Sequence, residues 1–391
     1  MPGPEALALA EKRLKSDRST PWKAFVSQEA YILGDMAQVP SKPPHHRPKG
    51  FQNNYQDFEP KSLAQVLRWR MAAALGGKPR PPQTPIPVVV PDLAFVQNNV
   101  GSKQQPAVTW IGHATVLAQV GGLNVLTDPM FSLRASPLGF IGPKRQQPPG
   151  IDLWNLPAID LVLVSHNHYD HLDLDSVAAL ARQGGGSPLF VVPLGLAAWF
   201  HRAGIERVIE LDWWQSHSLQ TSRGVAELVL VPAQHWSARG VSDQMASLWG
   251  GFALFAPDCH FFYAGDTGYS RDFVDMRERF AERQTAELGG GFDIALLPLG
   301  AYEPRWFMQQ QHVNVPEAIK IHRDLGAKRS LGVHWGTFAL SDEALDEPPR
   351  ALAALRAAEA LSEQEFFTLA IGETQRLAPR EALASSETPI T

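Results

Sequence analysis

Cysteine is almost missing from the chain, because Cys259 is the only one among 391 residues. An intramolecular disulfide is therefore excluded, and the sequence fits a cytoplasmic compartment in which thiols stay reduced. Cys259 comes just before the apolar run at residues 261–264. We therefore expect a buried and inert thiol at this position rather than a catalytic one.

The chain also lacks a long hydrophobic run. No stretch reaches the roughly 18 uncharged apolar residues of a transmembrane helix, and residues 1–25 mix acidic and basic side chains unlike a secretory signal. Hydrophobic residues make up 44% and charged residues 19%, which is typical of a globular protein with a real core. The formal net charge is −5, with a basic excess before residue 106 and an acidic excess after it. The acidic body argues against nucleic acid as a partner, whereas a basic leading segment could contact anionic headgroups.

Residues 1–105 have the features of an arm and linker rather than of an independent domain. Prolines make residues 39–50 an extended linker, in which His45 and His46 are expected to be a solvated pair. Residues 61–75 contain no helix breaker and predict a helix that ends at Gly76. The segment as a whole is expected to wrap around the rest of the chain.

Residues 106–375 predict an α/β domain, followed by a tail at residues 376–391. Short apolar or alternating segments begin at residue 107, with a hairpin turn at Gly121 and Gly122. Helical segments then alternate with further strands. This order indicates an αβ/βα sandwich, in which two packed β-sheets are flanked by helices.

The run from His166 to His171 indicates a metal site. It reads His-Asn-His-Tyr-Asp-His and follows an apolar segment that predicts a buried strand. Two histidines one residue apart point the same way from an extended backbone, while Asp170 and His171 lie where the chain turns and can reach a second ion. Such a pattern is typical of two metals, and its nitrogen and oxygen donors favour zinc.

Three more ligand-type residues follow predicted strands in the same manner. They are His235 after residues 228–231, Asp266 after residues 261–264, and His334 after residues 331–333. Neighbouring glycines, such as Gly265, allow the close backbone turns that a site of this kind needs. We expect these residues to complete the metal site.

Together these motifs resemble the metallo-β-lactamase superfamily. Within it the chain closely resembles the N-acylphosphatidylethanolamine-hydrolysing phospholipase D family, over roughly residues 105–375. The matching stretches include residues 232–236, 262–269 and 311–313, and the most specific are residues 300–308 and 334–340. The resemblance implies the sandwich fold and a site with two zinc ions.

Position by position, the resemblance also implies a ligand set. One zinc would be held by His166, His168 and His235, and the other by Asp170, His171 and His334. Asp266 would bridge the two ions, and a hydroxide between them would be the nucleophile. Asp170 and Asp266 are thus expected to be catalytic as well as metal-binding, and Asp128 to orient a ligand histidine.

The resemblance implies substrate contacts for three residues, and the mixture of aromatic and charged residues at 300–308 suggests a fourth. His312 and Gln311 match positions near the reacting phosphate, Tyr169 matches a position beside the acyl chain, and Arg305 is placed near phosphate. His312 is a candidate general acid, although a satisfied polar residue before a helix is an equal alternative. Residues 306–308 either line the acyl chains or belong to a packed loop.

The expected activity is that of a phospholipase D that releases N-acylethanolamine and phosphatidic acid from a phospholipid. The alternatives are a related dinuclear hydrolase for another phosphodiester or a lactone, and a non-enzymatic lipid- or bile-acid-binding protein, which would require a broken site. Peripheral membrane contact is expected through residues 130–131, 138–141 and 144–145. A homodimer is left open.

Overall fold

A computed structural model describes residues 42–240 and 242–380, so the expectations for residues 1–41 and 381–391 fall outside it. The described α-helices are α1 (Leu63–Leu75), α2 (Leu93–Asn98), α3 (Leu174–Leu180), α4 (Ala197–Arg202), α5 (Asp272–Arg279), α6 (Arg305–Met308), α7 (Val315–Leu325) and α8 (Glu347–Ala358). The strands are β1 (Ala107–Gly112), β2 (Thr115–Val120), β3 (Leu123–Thr127), β4 (Leu161–Leu163), β5 (Leu189–Pro193), β6 (Val208–Leu211), β7 (Ser216–Thr221), β8 (Gly224–Val231), β9 (Gly251–Ala256), β10 (Cys259–Tyr263), β11 (Ile294–Pro298), β12 (Ser330–Val333), β13 (Phe366–Phe367) and β14 (Thr374–Arg376).

The strands form two mixed sheets of seven strands each. One has the order β14-β1-β2-β3-β4-β5-β6, and the other has the order β13-β12-β11-β10-β9-β8-β7. Each sheet has three antiparallel and three parallel pairings; in the orders given, the antiparallel pairings come first in the first sheet and last in the second. With helices outside the sheets, this architecture confirms the predicted α/β sandwich.

Alternation along the strands explains how the sheets pack. In β2, Val116 and Ala118 belong to the core between the sheets, whereas Leu117 between them belongs to a second core beneath helices α3 and α4. Successive side chains of a strand point to opposite faces, so a strand buried on both faces contributes to both cores. The turn after β2 is made by Gly121 and Gly122, whose φ angles of 66° and 80° suit glycine.

The predicted helix at residues 61–75 is confirmed by α1. Its first turn is closed by a capping box, in which Ser62 and Gln65 each bond the backbone of the other. On the inner face, Trp69 packs against Phe307 and Met308. Two of the three side chains at residues 306–308 are therefore buried against α1. Only the third, Trp306, remains a candidate to line the acyl chains.

His45 and His46 are not a solvated pair, and that expectation was wrong. His45 Nε2 lies 2.6 Å from one carboxylate oxygen of Asp212, and His46 Nε2 lies 2.8 Å from the other. The His45 ring also lies over Trp213, with centroids 4.4 Å apart. The Nε2 atoms of both imidazoles are therefore paired with a carboxylate more than 160 positions away in sequence, and not with solvent.

The expected membrane contacts are only partly at the surface. Met130 and Arg145 are buried, because the Arg145 guanidinium bonds the Met130 carbonyl and lies over the Phe338 ring. Phe140 and Ile141 are exposed. Among the described helices, none combines the length and apolar character that crossing a bilayer requires. Cys259 is buried, as expected.

Candidate metal centre

The predicted ligands meet because each one follows a strand that ends at the same side of the sandwich. The His166–His171 loop follows β4 of the first sheet, while His235, Asp266 and His334 follow β8, β10 and β12 of the second. Gly265 has φ 64°, and a Cβ there would lie 2.6 Å from the Ser165 side chain. Only glycine therefore lets the Asp266 turn approach the histidine loop this closely.

His166, His168 and His235 form the first ligand group. His166 Nε2 lies 2.8 Å from His168 Nδ1, which in turn lies 3.4 Å from His235 Nε2. All three rings are buried or nearly so, and burial lowers the pKa of His168 to about 4 and that of His235 to about 3. They are therefore neutral at pH 7 and present lone pairs to one point, as a cation requires.

Asp170, His171 and His334 form the second group. His171 Nε2 lies 3.3 Å from Asp170 Oδ2 and 3.2 Å from His334 Nε2. Asp266 joins the two groups, since its carboxylate lies 3.1 Å from His171 Nε2, 3.2 Å from His334 Nε2 and 3.9 Å from His235 Nε2. The structure thus brings all seven predicted ligands together.

The pKa values of the two histidines in the second group show that this half of the site attracts cations. Burial opposes protonation of His334, but the charge of Asp266 and the hydrogen bonds to Asp170 and Asp266 together outweigh it and raise the pKa to about 9. Burial is likewise outweighed for His171 by Asp266 and Asp170, so its pKa lies well above the ordinary value. Two buried carboxylates beside imidazole nitrogens are a donor set that suits divalent metal ions.

Hydrogen bonds behind the ligands aim their free nitrogens at the centre. Ser165 Oγ donates to Asp128 and so accepts from His166 Nδ1 at 2.9 Å. His171 Nδ1 donates to Asp128 at 2.6 Å, as Asp128 was expected to orient a ligand histidine. His235 Nδ1 donates to the Gln311 carbonyl at 2.9 Å. Each bond occupies Nδ1 and leaves Nε2 as the nitrogen that faces the site, so the orientation of the rings fits bound metal.

Backbone strain is concentrated at the same place. His334, His113 and Asp128 have φ angles of 69°, 55° and 32°, a region that side chains other than glycine seldom adopt. The His334 amide donates to the His113 carbonyl at 2.9 Å, which ties two of these positions together. Strain of this kind persists where surrounding contacts hold it and is common at functional sites.

His312 lies beside the predicted ligands. Its Nδ1 atom is 3.8 Å from Asp266 Oδ2, is buried, and has no hydrogen-bond partner. Burial lowers the pKa of His312 to about 3. A neutral imidazole with an unsatisfied nitrogen is therefore available to a bound substrate.

The other predicted substrate contacts have protein partners. Arg305 donates to the His312 carbonyl at 2.8 Å and to Glu317 at 2.8 Å, so these two donors are already engaged within the protein. The Gln311 amide faces Met308 Sδ at 3.4 Å. The Tyr169 hydroxyl donates to the Arg239 carbonyl at 3.1 Å.

Two contributors to the site were missed in the sequence. Asn53 pairs with the backbone of His235 in both directions, at 3.0 Å and 3.1 Å. Arg239 donates from one nitrogen to the carbonyls of Asn167 and Leu172, which bracket the ligand loop. Neither residue belongs to a local sequence motif. The residues next to them in sequence give no signal that could have identified either role.

The chain is similar to known proteins of the family that its motifs resemble. Residues 123–335 match the model of the Beta-lactamase superfamily domain. The chain is 40% identical over 272 residues to N-acyl-phosphatidylethanolamine-hydrolyzing phospholipase D 1 of Caenorhabditis elegans, covering 68% of this chain and 74% of that protein. It is also 40% identical over 262 residues to the mitochondrial N-acyl-phosphatidylethanolamine-hydrolyzing phospholipase D of Saccharomyces cerevisiae, covering 66% of this chain and 53% of that protein.

A solved structure shares the fold. The isothiocyanate hydrolase from Delia radicum gut bacteria aligns with a TM-score of 0.53 at 19% identity, covering 70% of this chain and 99% of that one. At this identity the likeness concerns the arrangement of the sheets and helices alone. It agrees with the two seven-stranded sheets described above.

Proposed function

Because the chain belongs to the N-acylphosphatidylethanolamine-hydrolysing phospholipase D family of the metallo-β-lactamase superfamily, and is a hydrolase by that membership, we propose that it hydrolyses N-acylphosphatidylethanolamine. The products are N-acylethanolamine and phosphatidic acid. The observation that carries the proposal is the convergence of five imidazoles and two carboxylates at one edge of the sandwich. A protein that only binds lipid would be expected to lack some of these ligands, whereas all seven are present in this chain.

We propose that two zinc ions occupy this centre. One would be held by the first ligand group and the other by the second, with Asp266 between the two groups. When bound, zinc neutralises charge on the phosphodiester and lowers the pKa of the attacking water. Imidazole and carboxylate donors favour zinc over magnesium or calcium, which prefer oxygen alone.

The chain itself contributes a rigid arrangement of donors. Asp128 and Ser165 fix the tautomers of His171 and His166, so these rings do not have to turn when a cation arrives. His113 lies 3.0 Å from Asp170 and holds that carboxylate toward the centre. Such partners behind the ligands raise metal affinity by removing the cost of reorganisation.

His312 is proposed to assist the leaving group. At pH 7 its imidazole is neutral, since burial lowers its pKa to about 3. A bound phosphodiester anion would raise that pKa, so that His312 could take up a proton from water, hydrogen-bond the leaving oxygen of the N-acylethanolamine and pass the proton to it. Arg305 is proposed to position His312 through its carbonyl, in place of the phosphate contact first expected. Tyr169 beside the acyl chain and Gln311 near the phosphate stay predictions.

The substrate class implies a protein that works at a lipid surface. We propose peripheral contact with a membrane from the cytoplasmic side, because the substrate is a phospholipid and the chain has exposed apolar side chains such as Phe140. The S. cerevisiae relative is described as mitochondrial, so a mitochondrial membrane is one such surface. A homodimer stays a prediction.

The test is a mass-spectrometric assay of the purified, zinc-loaded chain with N-acylphosphatidylethanolamine in mixed micelles. We expect equal amounts of N-acylethanolamine and phosphatidic acid, and no product after chelation. Asp266→Asn should abolish turnover, whereas the matched control Asp175→Asn, at an exposed position of α3, should not. Retained phosphodiesterase activity in Asp266→Asn would overturn the site assignment.

The same preparation separates the alternative substrates. If protein that holds two zinc ions per chain yields no product from N-acylphosphatidylethanolamine, the phospholipase proposal fails. Parallel assays with a simple aryl phosphodiester and with a lactone then identify the bond that the centre cleaves. Loss of that activity in Asp266→Asn would still assign the chemistry to these ligands.

A further inference from the structure

Helix α1 has an apolar stripe on the face that is turned away from the protein. Leu63, Leu67, Met71 and Leu75 are 75%, 54%, 65% and 87% exposed. Since they are spaced four residues apart, successive side chains advance by about 40° around the helix and form one continuous ridge. A contiguous exposed apolar surface on a folded protein marks an interaction site.

The opposite face of α1 is already occupied. Trp69 packs against Phe307 and Met308, with Val66 and Ala73 beside it. The Trp69 indole also donates to Asp342 at 2.8 Å. The helix is thereby fixed in rotation, so the exposed stripe is a separate surface rather than a core face that could turn inward.

All charged residues of α1 and of the residues that follow it up to position 80 are basic. Residues 61–80 include Lys61, Arg68, Arg70, Lys78 and Arg80 and no acidic residue, in a chain whose net charge is −5. On the helix, Arg68 and Arg70 lie about 20° beyond the two edges of the stripe. An apolar ridge between two arginines suits a lipid–water interface, because the ridge enters the acyl region while the guanidinium groups reach the headgroups.

We propose that this stripe docks the protein on an anionic phospholipid bilayer. The inference rests on the proposed function, because it supplies the surface through which a membrane lipid would be reached. A second copy of the chain is a poorer occupant, since a symmetric contact would place two positively charged segments against each other. Anionic headgroups instead match the charge of the flanking arginines.

The helix that carries the stripe packs on the segment that leads to His312. Helix α6, on which α1 packs, leads directly to His312, and the Lys61 ammonium lies 3.1 Å from Gln310 Oε1 in the same connection. The Arg68 guanidinium lies over the Trp306 ring, 5.5 Å from its centroid, and Trp306 is half-exposed. A bilayer seated on the stripe would therefore be separated from the segment that leads to His312 by α1 alone, with Trp306 exposed beside Arg68.

The test is flotation of the full-length, zinc-loaded chain with vesicles of phosphatidylcholine alone or mixed with phosphatidylglycerol. We compare the wild type with Leu67→Glu/Met71→Glu and with the matched control Val90→Glu/Val225→Glu, which places the same charges at exposed valines elsewhere. The wild type and the control should bind the mixed vesicles, and the stripe variant should bind at least about tenfold more weakly. Hydrolysis of a soluble aryl phosphodiester should be equal in all three, which shows that folding and the metal centre are intact.

Three outcomes would overturn the proposal. They are equal binding by the stripe variant and the wild type, absence of binding by the wild type, and conversion of a wild-type dimer to a monomer in the stripe variant with vesicle binding unchanged. The last result would assign the stripe to self-association. Failure of the phospholipase assay leaves these readouts unaffected, because neither vesicle binding nor aryl phosphodiester hydrolysis depends on that substrate.

Discussion

His113 Nε2 lies 3.0 Å from a carboxylate oxygen of Asp170, so the turn between β1 and β2 supports the ligand loop that follows β4. Burial lowers the pKa of His113 to about 3, and a neutral ring can donate to the carboxylate without neutralising it. Its contact orients one carboxylate of the second ligand group.

Replacing His113 by alanine should therefore weaken metal binding in the second group alone. Loss of a partner of this kind costs about 10–100-fold in metal affinity. Zinc titration against a chromogenic chelator should show one site unchanged and one weakened in this way. His322→Ala is the matched control, since that buried ring bonds Ser330 away from the centre. Two unchanged affinities in His113→Ala would contradict the orienting role.

Arg239 offers a second test of how the ligand loop is held. Its guanidinium lies 4.0 Å from the centroid of the Tyr169 ring and donates to the Asn167 and Leu172 carbonyls at 2.9 Å and 2.8 Å. Lysine cannot stack in this way while bonding both carbonyls. We expect Arg239→Lys to lower kcat about tenfold, and Arg239→Ala more strongly.

The measurement for Arg239 is steady-state hydrolysis of an aryl phosphodiester by protein with defined zinc content. Arg202→Lys, on α4 at an exposed position, serves as the control for loss of a guanidinium. A loss confined to stability, with kcat unchanged at full zinc occupancy, would show that Arg239 supports the fold but does not position the ligands.

The sandwich and the ligand set were predictable because each ligand follows its own strand. The segment before His166 and the one before Asp266 are continuous apolar runs, which predict buried strands without any knowledge of the partner strand. Ligand-type residues directly after such runs then stand out. By contrast, the edge strand β7 was missed, because its sequence is polar and half-exposed.

Contacts across long sequence distances could not be predicted in the same way. His45 and His46 bond Asp212, and Asn53 bonds His235, over separations of 166 to 182 positions. No periodicity links such residues, since the partner is set by how the segment lies on the finished fold. Arg145 was placed at the surface for the same reason, because its burial depends on the carbonyls and the Phe338 ring around it.

Asn53 provides a test of that long-range contact. Its amide exchanges two hydrogen bonds with the His235 backbone, and Oδ1 also accepts from the Trp249 indole at 3.1 Å. Asn53→Ala leaves buried polar groups unpaired and should lower the free energy of unfolding by about 1–3 kcal/mol. Asn53→Asp keeps the acceptor but loses the donor.

Chemical denaturation together with zinc titration distinguishes the two effects of Asn53. We expect both variants to lose stability and to bind zinc more weakly at the first ligand group, because His235 is no longer held. The control is Asn54→Ala, at the neighbouring exposed position, because the Asn54 side chain bonds Asp272 and not His235. Wild-type zinc affinity in Asn53→Ala would limit this residue to a role in folding.

The last prediction concerns stability in acid and uses a histidine remote from the metal centre. His260, in β10, has its pKa lowered to about 4 by burial and by the charge of Arg380. In the unfolded chain its pKa is about 6.5, so below that pH the unfolded state binds more protons and stability falls. The contribution of neutral His260 to the free energy of unfolding is greatest above pH 6.5 and decreases toward pH 4. At pH 5 it is lower by about 2 kcal/mol.

His260→Gln should remove this dependence on pH. The free energy of unfolding is measured in urea with zinc-free protein at pH 7.5 and pH 5, and the difference between the two values should be smaller than in the wild type by about the same amount. The exposed His201, replaced by glutamine, is the control and should leave the difference unchanged. An equal loss of stability in the wild type and in His260→Gln would show that other groups account for the acid sensitivity.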